Sequence, residues 1–170
     1  MRLTRRDAII ALGALGVGSA ALGRRTDVES TQGHRVDSML AVAEVVYPSQ
    51  VTVDESFIET YLQGRVHASD AFDRRSERAL AALDETARKE HGRAFDALSR
   101  DRRRAVLRQR GVDRTHSDPD GTTAQQVRYY LINELLYVLY TTPIGGQLLG
   151  IENPPGYPGG RTAYQEGPQE

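Results

Sequence analysis

The segment that decides the fold is TTAQQVRYYLINELLYVLY, residues 122–140, the most apolar stretch after the first 23 residues. Its polar residues Arg128, Asn133 and Glu134 leave almost every direction of a helical wheel apolar. A helix that is apolar all round must be buried all round. The segment is therefore predicted to be the central helix of a bundle, or a helix that another protein partly covers.

Four amphipathic helices are predicted upstream of this segment, each with a recognisable start or stop. Pro48 ends the first, Gly64 the second, Gly92 interrupts the chain after the third, and Ser99 and Gly111 bracket the fourth. A capping box at Thr52–Glu55 precedes the second helix. No alternating β segment is found, which predicts an all-α fold, a small irregular helical bundle. The four helices are placed at Val36–Tyr47, Phe57–Leu62, Arg74–Glu90 and Arg100–Arg110.

The C-terminal part of the chain is rich in Pro and Gly. Thr142–Gly146 turns the chain, and Ile151–Gly160 can be neither helix nor central strand. An extended tail is predicted, docked through Ile151 and Tyr157 onto this domain or a partner. The alternative is a disordered terminus, and residues 161–170 are predicted to be disordered.

The N-terminus has the pattern of an export signal. Thr4-Arg5-Arg6-Asp7 leads into the uncharged run Ala8–Gly23, which ends in small residues. We assign residues 1–23 to a twin-arginine type signal and residues 24–33 to a linker, and expect a helical domain over residues 34–160. Asp7 and Ala8 depart from the commonest motif, so a general secretory signal stays open, as does an uncleaved anchor in contact with the membrane. Each alternative predicts an extracytoplasmic or membrane-associated protein.

Composition excludes several kinds of chemistry. The 170-residue chain has no Cys, which excludes disulfides, thiolate catalysis, haem attachment through Cys and Fe–S ligation by this chain. Its net charge of −1 gives no basic field, so nucleic acid is not an expected partner. The four histidines have no metal-ligand spacing, and no serine lies in a nucleophile-elbow motif. No catalytic, cofactor-binding or metal residue is predicted.

Two charged features each have two interpretations. Arg100, Arg104 and Arg108 form one helical stripe, which is either an anion-binding surface or, more commonly, a solvated face compensated by carboxylates such as Asp96 and Asp101. Glu134 falls within an apolar stripe, where a buried carboxylate has either a structural Arg or backbone partner or a catalytic role. The structural interpretation is the commoner one.

Several segments together resemble the gluconate 2-dehydrogenase subunit 3 family. They are Leu40–Pro48, Phe57–Leu62, and Asn133–Tyr137 followed by Pro143, Gly145, Gly146 and Pro154-Pro155-Gly156. The resemblance spans about Arg35 to Gly160, nearly the whole domain after the signal.

The resemblance implies a small helical accessory subunit of a large flavin-dependent oxidoreductase of the glucose-methanol-choline (GMC) type, acting on sugars, sugar acids or other alcohols. FAD and the catalytic His then belong to the large subunit, and this chain carries no cofactor. Members with an export signal are thought to lend it to a partner without one, and in some complexes a cytochrome accepts the electrons. From a different class, the alternative is a stand-alone exported helical module that binds a small ligand or a cell-surface component.

Contact with such a partner is expected from bulky residues at the edge of the apolar helix and on the tail. Aromatic and aliphatic side chains of this kind carry most of the energy of protein interfaces. The predicted contact residues are Tyr129, Tyr137, Tyr140, Ile144, Ile151 and Tyr157.

Overall fold

The order of elements follows from a computed structural model that describes residues 1–16 and 29–150, without the side chains of residues 29–32 and 67. The predicted tail, Ile151 and Tyr157 with it, the disordered end at residues 161–170, and parts of the predicted signal and linker lie outside the described residues. The elements are β1 (Arg2–Leu3), α1 (Arg5–Ala14), α2 (Glu29–Val46), β2 (Thr52–Val53), α3 (Glu55–Ala68), α4 (Asp70–His91), α5 (Arg100–Gln109), α6 (Thr123–Val127), a π-helical segment (Arg128–Asn133), α7 (Glu134–Tyr140) and α8 (Pro143–Leu148).

The all-α class is confirmed, and most helix boundaries lie where the sequence signals are. The Ser69 hydroxyl accepts a hydrogen bond from the Phe72 amide at 3.2 Å and caps α4, which ends at Gly92 with φ of 69°. Ser99 is the N-cap residue of α5, and Gly111 follows that helix with φ of 72°. A left-handed residue of this kind is most easily a glycine.

Three boundary predictions are wrong. α3 begins after Asp54, and Thr52 lies in a strand instead of capping the helix. Gly64 does not end α3, which continues to Ala68, because this glycine is buried against the Leu12 side chain and has a packing role. α2 begins at Glu29, inside the segment predicted as a linker.

The two short strands pair in parallel, Arg2 with Thr52 and Leu3 with Val53. The Thr52 amide donates to the Met1 carbonyl at 2.8 Å, and the Asp54 amide donates to the Leu3 carbonyl at 3.1 Å. Strands of two residues are too short to show an alternating pattern in a sequence. This pairing attaches the N-terminus to the segment that leads into α3.

The hydrophobic core lies where α2, α3, α4 and the segment from α6 to α7 meet. Its largest completely buried side chains include Phe57, Tyr61, Phe95 and Met39. α1 packs along α3 and also contacts α7, and it contributes Ala8, Ala11 and Leu12 to this core. One core therefore joins the N-terminal segment to the rest of the domain.

Candidate subunit-docking surface

The central helix, residues 123–140, is formed by α6, the π-helical segment and α7 in succession. A π-helical turn places one extra residue in a helical turn and shifts the side chains that follow around the axis. The buried side of the central helix is continuous through this shift. Its completely buried members are Val127, Leu131, Leu135, Val138 and Leu139.

Three tyrosines are exposed along the opposite side of the central helix, and we call them the tyrosine face. The exposed fractions are 41% for Tyr129, 43% for Tyr137 and 40% for Tyr140. The prediction that this helix is buried all round is therefore wrong for one side. The other alternative, a helix with a side left for another protein, agrees with the exposure. Partly exposed aromatic side chains along one side of a helix mark a candidate interaction site, because aromatic residues are enriched at protein interfaces.

A partly buried ionic cluster connects the central helix to α3. The Glu134 Oε1 atom accepts a hydrogen bond from the Tyr61 hydroxyl at 2.6 Å and another from the Arg65 Nε–H. The Arg65 guanidinium carbon lies 4.3 Å from the centre of the Phe72 ring, in a cation–π contact. Glu134 therefore has the structural Arg partner that the sequence favoured, and nothing in this arrangement requires catalysis.

This environment changes two pKa values. Burial, with the negative charge of Glu134, raises the pKa of Tyr61 well above its ordinary value. For Arg65, burial acts to lower the pKa, but the hydrogen bond to Glu134, the negative charge of Glu134 and the contacts with Tyr61 together outweigh it, and the pKa is raised. Around neutral pH Tyr61 is consequently a neutral donor and Arg65 a guanidinium cation.

Two further tyrosines fix the central helix to its neighbours. The buried Tyr47 hydroxyl at the end of α2 donates to the Leu135 carbonyl at 2.8 Å, and burial raises the pKa of Tyr47. The Arg75 Nη1 donates to the Tyr130 hydroxyl at 3.0 Å and to the Pro119 carbonyl at 2.8 Å, and it also pairs with Asp120. The loop before α6 is thereby attached to both α4 and the central helix.

The junction between α7 and α8 is tightly built. The Thr142 hydroxyl donates to the Leu139 carbonyl at 2.6 Å and accepts from the Gly145 amide at 3.3 Å. A Cβ atom at Gly145 would lie 2.2 Å from the Leu139 carbonyl oxygen. Only glycine allows this close approach, so the start of α8 lies directly against the C-terminal end of α7, which carries Tyr140.

The predicted contact residues divide into three groups. Tyr129, Tyr137 and Tyr140 share the tyrosine face, whereas Ile144 is half-buried and packs against the core. Ile151 and Tyr157 lie outside the described residues. Sequence reasoning missed Leu149, which is 58% exposed just after α8. Its apolar side chain beside Gly150 was the available sign.

Arg5 and Arg6, the pair of the predicted signal, are both exposed on α1. Ile9 and Ile10 of the same helix are also exposed, whereas Leu3, Ala8 and Ala11 are completely buried. The segment therefore has an outer side with the arginines and an inner side within the core. Among the described residues, no helix is long and apolar enough to cross a membrane.

Arg100, Arg104 and Arg108, the predicted stripe, are all exposed on α5, as the solvated-face interpretation expects, and Arg100 also donates to the Tyr47 carbonyl at 3.2 Å. Two other arginines of this region make the ion pairs. Arg103 pairs with Glu44 and donates to the carbonyls of Phe95 and Asp96, while Arg110 lies 3.8 Å from Glu85. Within the described residues, Arg103 and Arg110 pair with these glutamates, and none of the arginine ion pairs uses the predicted Asp96 or Asp101 carboxylate. The two glutamates lie on α2 and α4, which the sequence alone could not place beside α5.

The other polar clusters and hollows of the described residues are small. The His34 Nε2 lies 2.8 Å from an Asp84 oxygen, and His116 contacts Gln125. The described residues contain no group of three or more metal-ligating side chains. The hollows found over the described ranges are shallow and lined mainly by polar side chains such as Glu85, Lys89 and Arg110.

Comparison with known proteins identifies the family. The family model for gluconate 2-dehydrogenase subunit 3 matches residues 34–159. The chain belongs to the gluconate 2-dehydrogenase subunit 3 family. No curated protein and no solved structure matches the chain.

The gluconate 2-dehydrogenase subunit 3 match covers α2 from its second turn through α8 and includes the whole tyrosine face. The family is named as a subunit of a dehydrogenase, which implies a dehydrogenase partner for the chain. The match begins after α1, so the segment with Arg5 and Arg6 lies outside the part that defines the family.

Proposed function

We propose that this chain is the non-catalytic small subunit of a GMC-type, FAD-dependent dehydrogenase of sugars, sugar acids or other alcohols. In this role it supports the export and stability of the large subunit and docks onto it through the tyrosine face. FAD and the catalytic machinery belong to the large subunit, and a cytochrome or another acceptor takes the electrons.

The observation that carries this proposal is the tyrosine face on a chain whose family is a dehydrogenase subunit. Tyrosines are enriched at protein interfaces because the ring buries apolar area while the hydroxyl keeps a polar partner. The partly buried Glu134–Arg65 pair and the Tyr47 hydrogen bond hold the helix beneath this face. A rigid surface of this kind loses little conformational entropy on binding.

The export part of the proposal depends on the twin-arginine motif. Arg5 and Arg6 are exposed on α1, so a receptor can reach both side chains while the domain is folded. A route that carries folded proteins suits a large subunit that takes up its flavin before crossing the membrane. The complex is then extracytoplasmic or associated with the membrane.

The first experiment is purification of the tagged chain from the extracytoplasmic fraction of its native host, with a visible spectrum of the eluate. We expect a flavin spectrum and a large oxidoreductase in fixed proportion. A colourless monomer would contradict the accessory-subunit role and favour the stand-alone binding module.

Export is tested by replacing both Arg5 and Arg6 with Lys, which should leave both subunits in the cytoplasm.

Docking is tested by the Tyr140→Ala variant. Because Tyr140 is 40% exposed, its truncation should lower the free energy of unfolding of the isolated chain by less than about 1 kcal/mol. If Tyr140 anchors the interface, the same truncation should weaken binding to the large subunit by about 2 kcal/mol, which raises Kd about thirtyfold. Binding to the large subunit is measured by calorimetry and unfolding by urea titration. The matched control is Arg104→Ala, an exposed change on α5 that should affect neither. Equal losses of binding and folding would make Tyr140 a core residue only.

A further inference from the structure

The N-terminal segment, residues 1–15, is attached to the domain by its backbone as well as by its side chains. β1 pairs with β2, and the hydrogen bonds from the Thr52 and Asp54 amides run to backbone carbonyls of this segment. The Arg2 Nε–H also donates to an Asp54 carboxylate oxygen at 2.5 Å. Strand pairing of this kind fixes the register in which the segment meets the domain.

The inner side of the segment fits a groove on α3, which we call the α3 groove. Leu12 is 3% exposed and lies over Gly64, where an added Cβ atom would be 2.5 Å from the Leu12 Cδ1 atom. The small residues Ala8 and Ala11 are completely buried on the same side of α1. The groove therefore accepts a helix with this side-chain pattern only because residue 64 has no side chain.

The outer side of α1 carries Arg5 and Arg6, and Asp7 caps the N-terminal end of the helix. One Asp7 carboxylate oxygen accepts hydrogen bonds from the Thr4 amide at 2.9 Å and the Thr4 hydroxyl at 2.8 Å. An acidic residue in the first turn also interacts favourably with the helix dipole. The residue that departs from the commonest twin-arginine motif thus has a structural role in α1.

We propose that residues 1–15 are a displaceable element held in the α3 groove of their own domain, and that this docked state competes with entry of the same side chains into a membrane. Leu3, Ala8, Ala11 and Leu12 cannot be buried in the core of their own domain and in lipid at the same time, so the two states exclude each other. The biological use of the released state rests on the export role proposed above, whereas docking and its competition with lipid do not.

Docking is tested with a disulfide in a chain that has no cysteine of its own. The test variant combines Leu12→Cys with Gly64→Cys, because a Cβ atom at residue 64 lies 3.1 Å from the Leu12 Cγ atom. The matched control combines Gly13→Cys with Gly64→Cys, since an added Cβ atom at Gly13 meets nothing within 4 Å. We expect an oxidised, reductant-sensitive cross-link in the test variant and none in the control. No cross-link in the test variant, or equal cross-linking in both, would overturn docking.

Competition is tested on the same full-length variant with vesicles of phosphatidylethanolamine and phosphatidylglycerol. The reduced protein should float with the vesicles, and the oxidised protein should lose this binding because its segment cannot leave the groove. Equal binding of both forms, or no binding by either, would overturn the competition. The vesicles contain neither export machinery nor a large subunit, so this result is independent of whether a flavoprotein co-purifies.

Gly64→Leu gives a second, opposite test. Its side chain fills the space of Leu12, so it should displace the segment, increase vesicle binding and increase tryptic cleavage after Arg5 and Arg6. Circular dichroism checks that the other helices persist. Unchanged cleavage and vesicle binding in the folded variant would contradict the α3 groove as the docking site.

Discussion

Glu134 shows how one residue can connect a core to a surface. Its carboxylate accepts from Tyr61 and Arg65 on α3, and three residues further along the same helix Tyr137 is exposed. Burial of an ion pair is stabilising only where good hydrogen bonds offset the loss of hydration. Here the Tyr61 hydroxyl donates a further hydrogen bond to Glu134, and the Phe72 ring makes a cation–π contact with Arg65.

Glu134→Gln should lower the free energy of unfolding by about 1–3 kcal/mol, because it leaves the Arg65 cation partly buried without a counter-charge. Urea titration at neutral pH measures the loss. The control is the double variant with Arg65→Gln, in which neither charge remains. Its loss should be smaller than the sum of the two single losses by at least about 0.5 kcal/mol. Additive losses would show that the two groups do not interact.

At the scale of elements, the junction of α7 and α8 depends on Gly145. Gly145→Ala should destabilise the protein by about 1–3 kcal/mol or more, because the new methyl group meets the rigid backbone at Leu139 and Tyr140. The matched control is Gly33→Ala in α2, where an added Cβ atom meets nothing within 4 Å and helix propensity favours alanine by about 0.5–1 kcal/mol. Thermal unfolding compares the two variants. Equal effects of the two substitutions would contradict the tight junction.

The helices of this chain could be predicted because their apolar spacing and their Ser and Gly boundaries are local signals. Gly64 shows where local signals fail: a glycine in a helical pattern indicates an end, but here it makes room for a side chain distant in the sequence. The π-helical segment gives no local signal either, since its residues fit an ordinary helix equally well. Which side of the central helix would stay open also depended on long-range packing.

At the scale of the whole molecule, the positions of the three exposed tyrosines could be predicted from the sequence, and their contact with a partner stays a prediction. Tyr129, Tyr137 and Tyr140 could be chosen from their position on an apolar helix, whereas the half-burial of Ile144 follows from how α8 folds back. The arginine pair, the uncharged run and its small-residue end predict a signal from local sequence alone. Its packing into the core could not be predicted, because small apolar residues suit both a signal and a closely packed helix.

The stability of the whole domain should fall at alkaline pH. Tyr47 and Tyr61 have folded-state pKa values raised above their ordinary value, mainly by burial, so below about pH 10 both are protonated in the folded and unfolded states and their contribution is complete. Above that pH the unfolded chain releases both protons and the folded chain keeps them. Each tyrosine then lowers the free energy of unfolding by about 1.4 kcal/mol per pH unit.

Urea titrations between pH 7 and pH 11 measure this decline, and the matched control is the double variant Tyr47→Phe, Tyr61→Phe. Phe has no proton to lose, so the variant should be less stable at pH 7, by about 1 kcal/mol for the Tyr47 hydrogen bond alone, yet lose less stability above pH 10. An equally steep alkaline decline in both proteins would assign the effect to other groups. A flatter decline in the variant would show that the two tyrosines holding the central helix against α2 and α3 also set the alkaline limit of the fold.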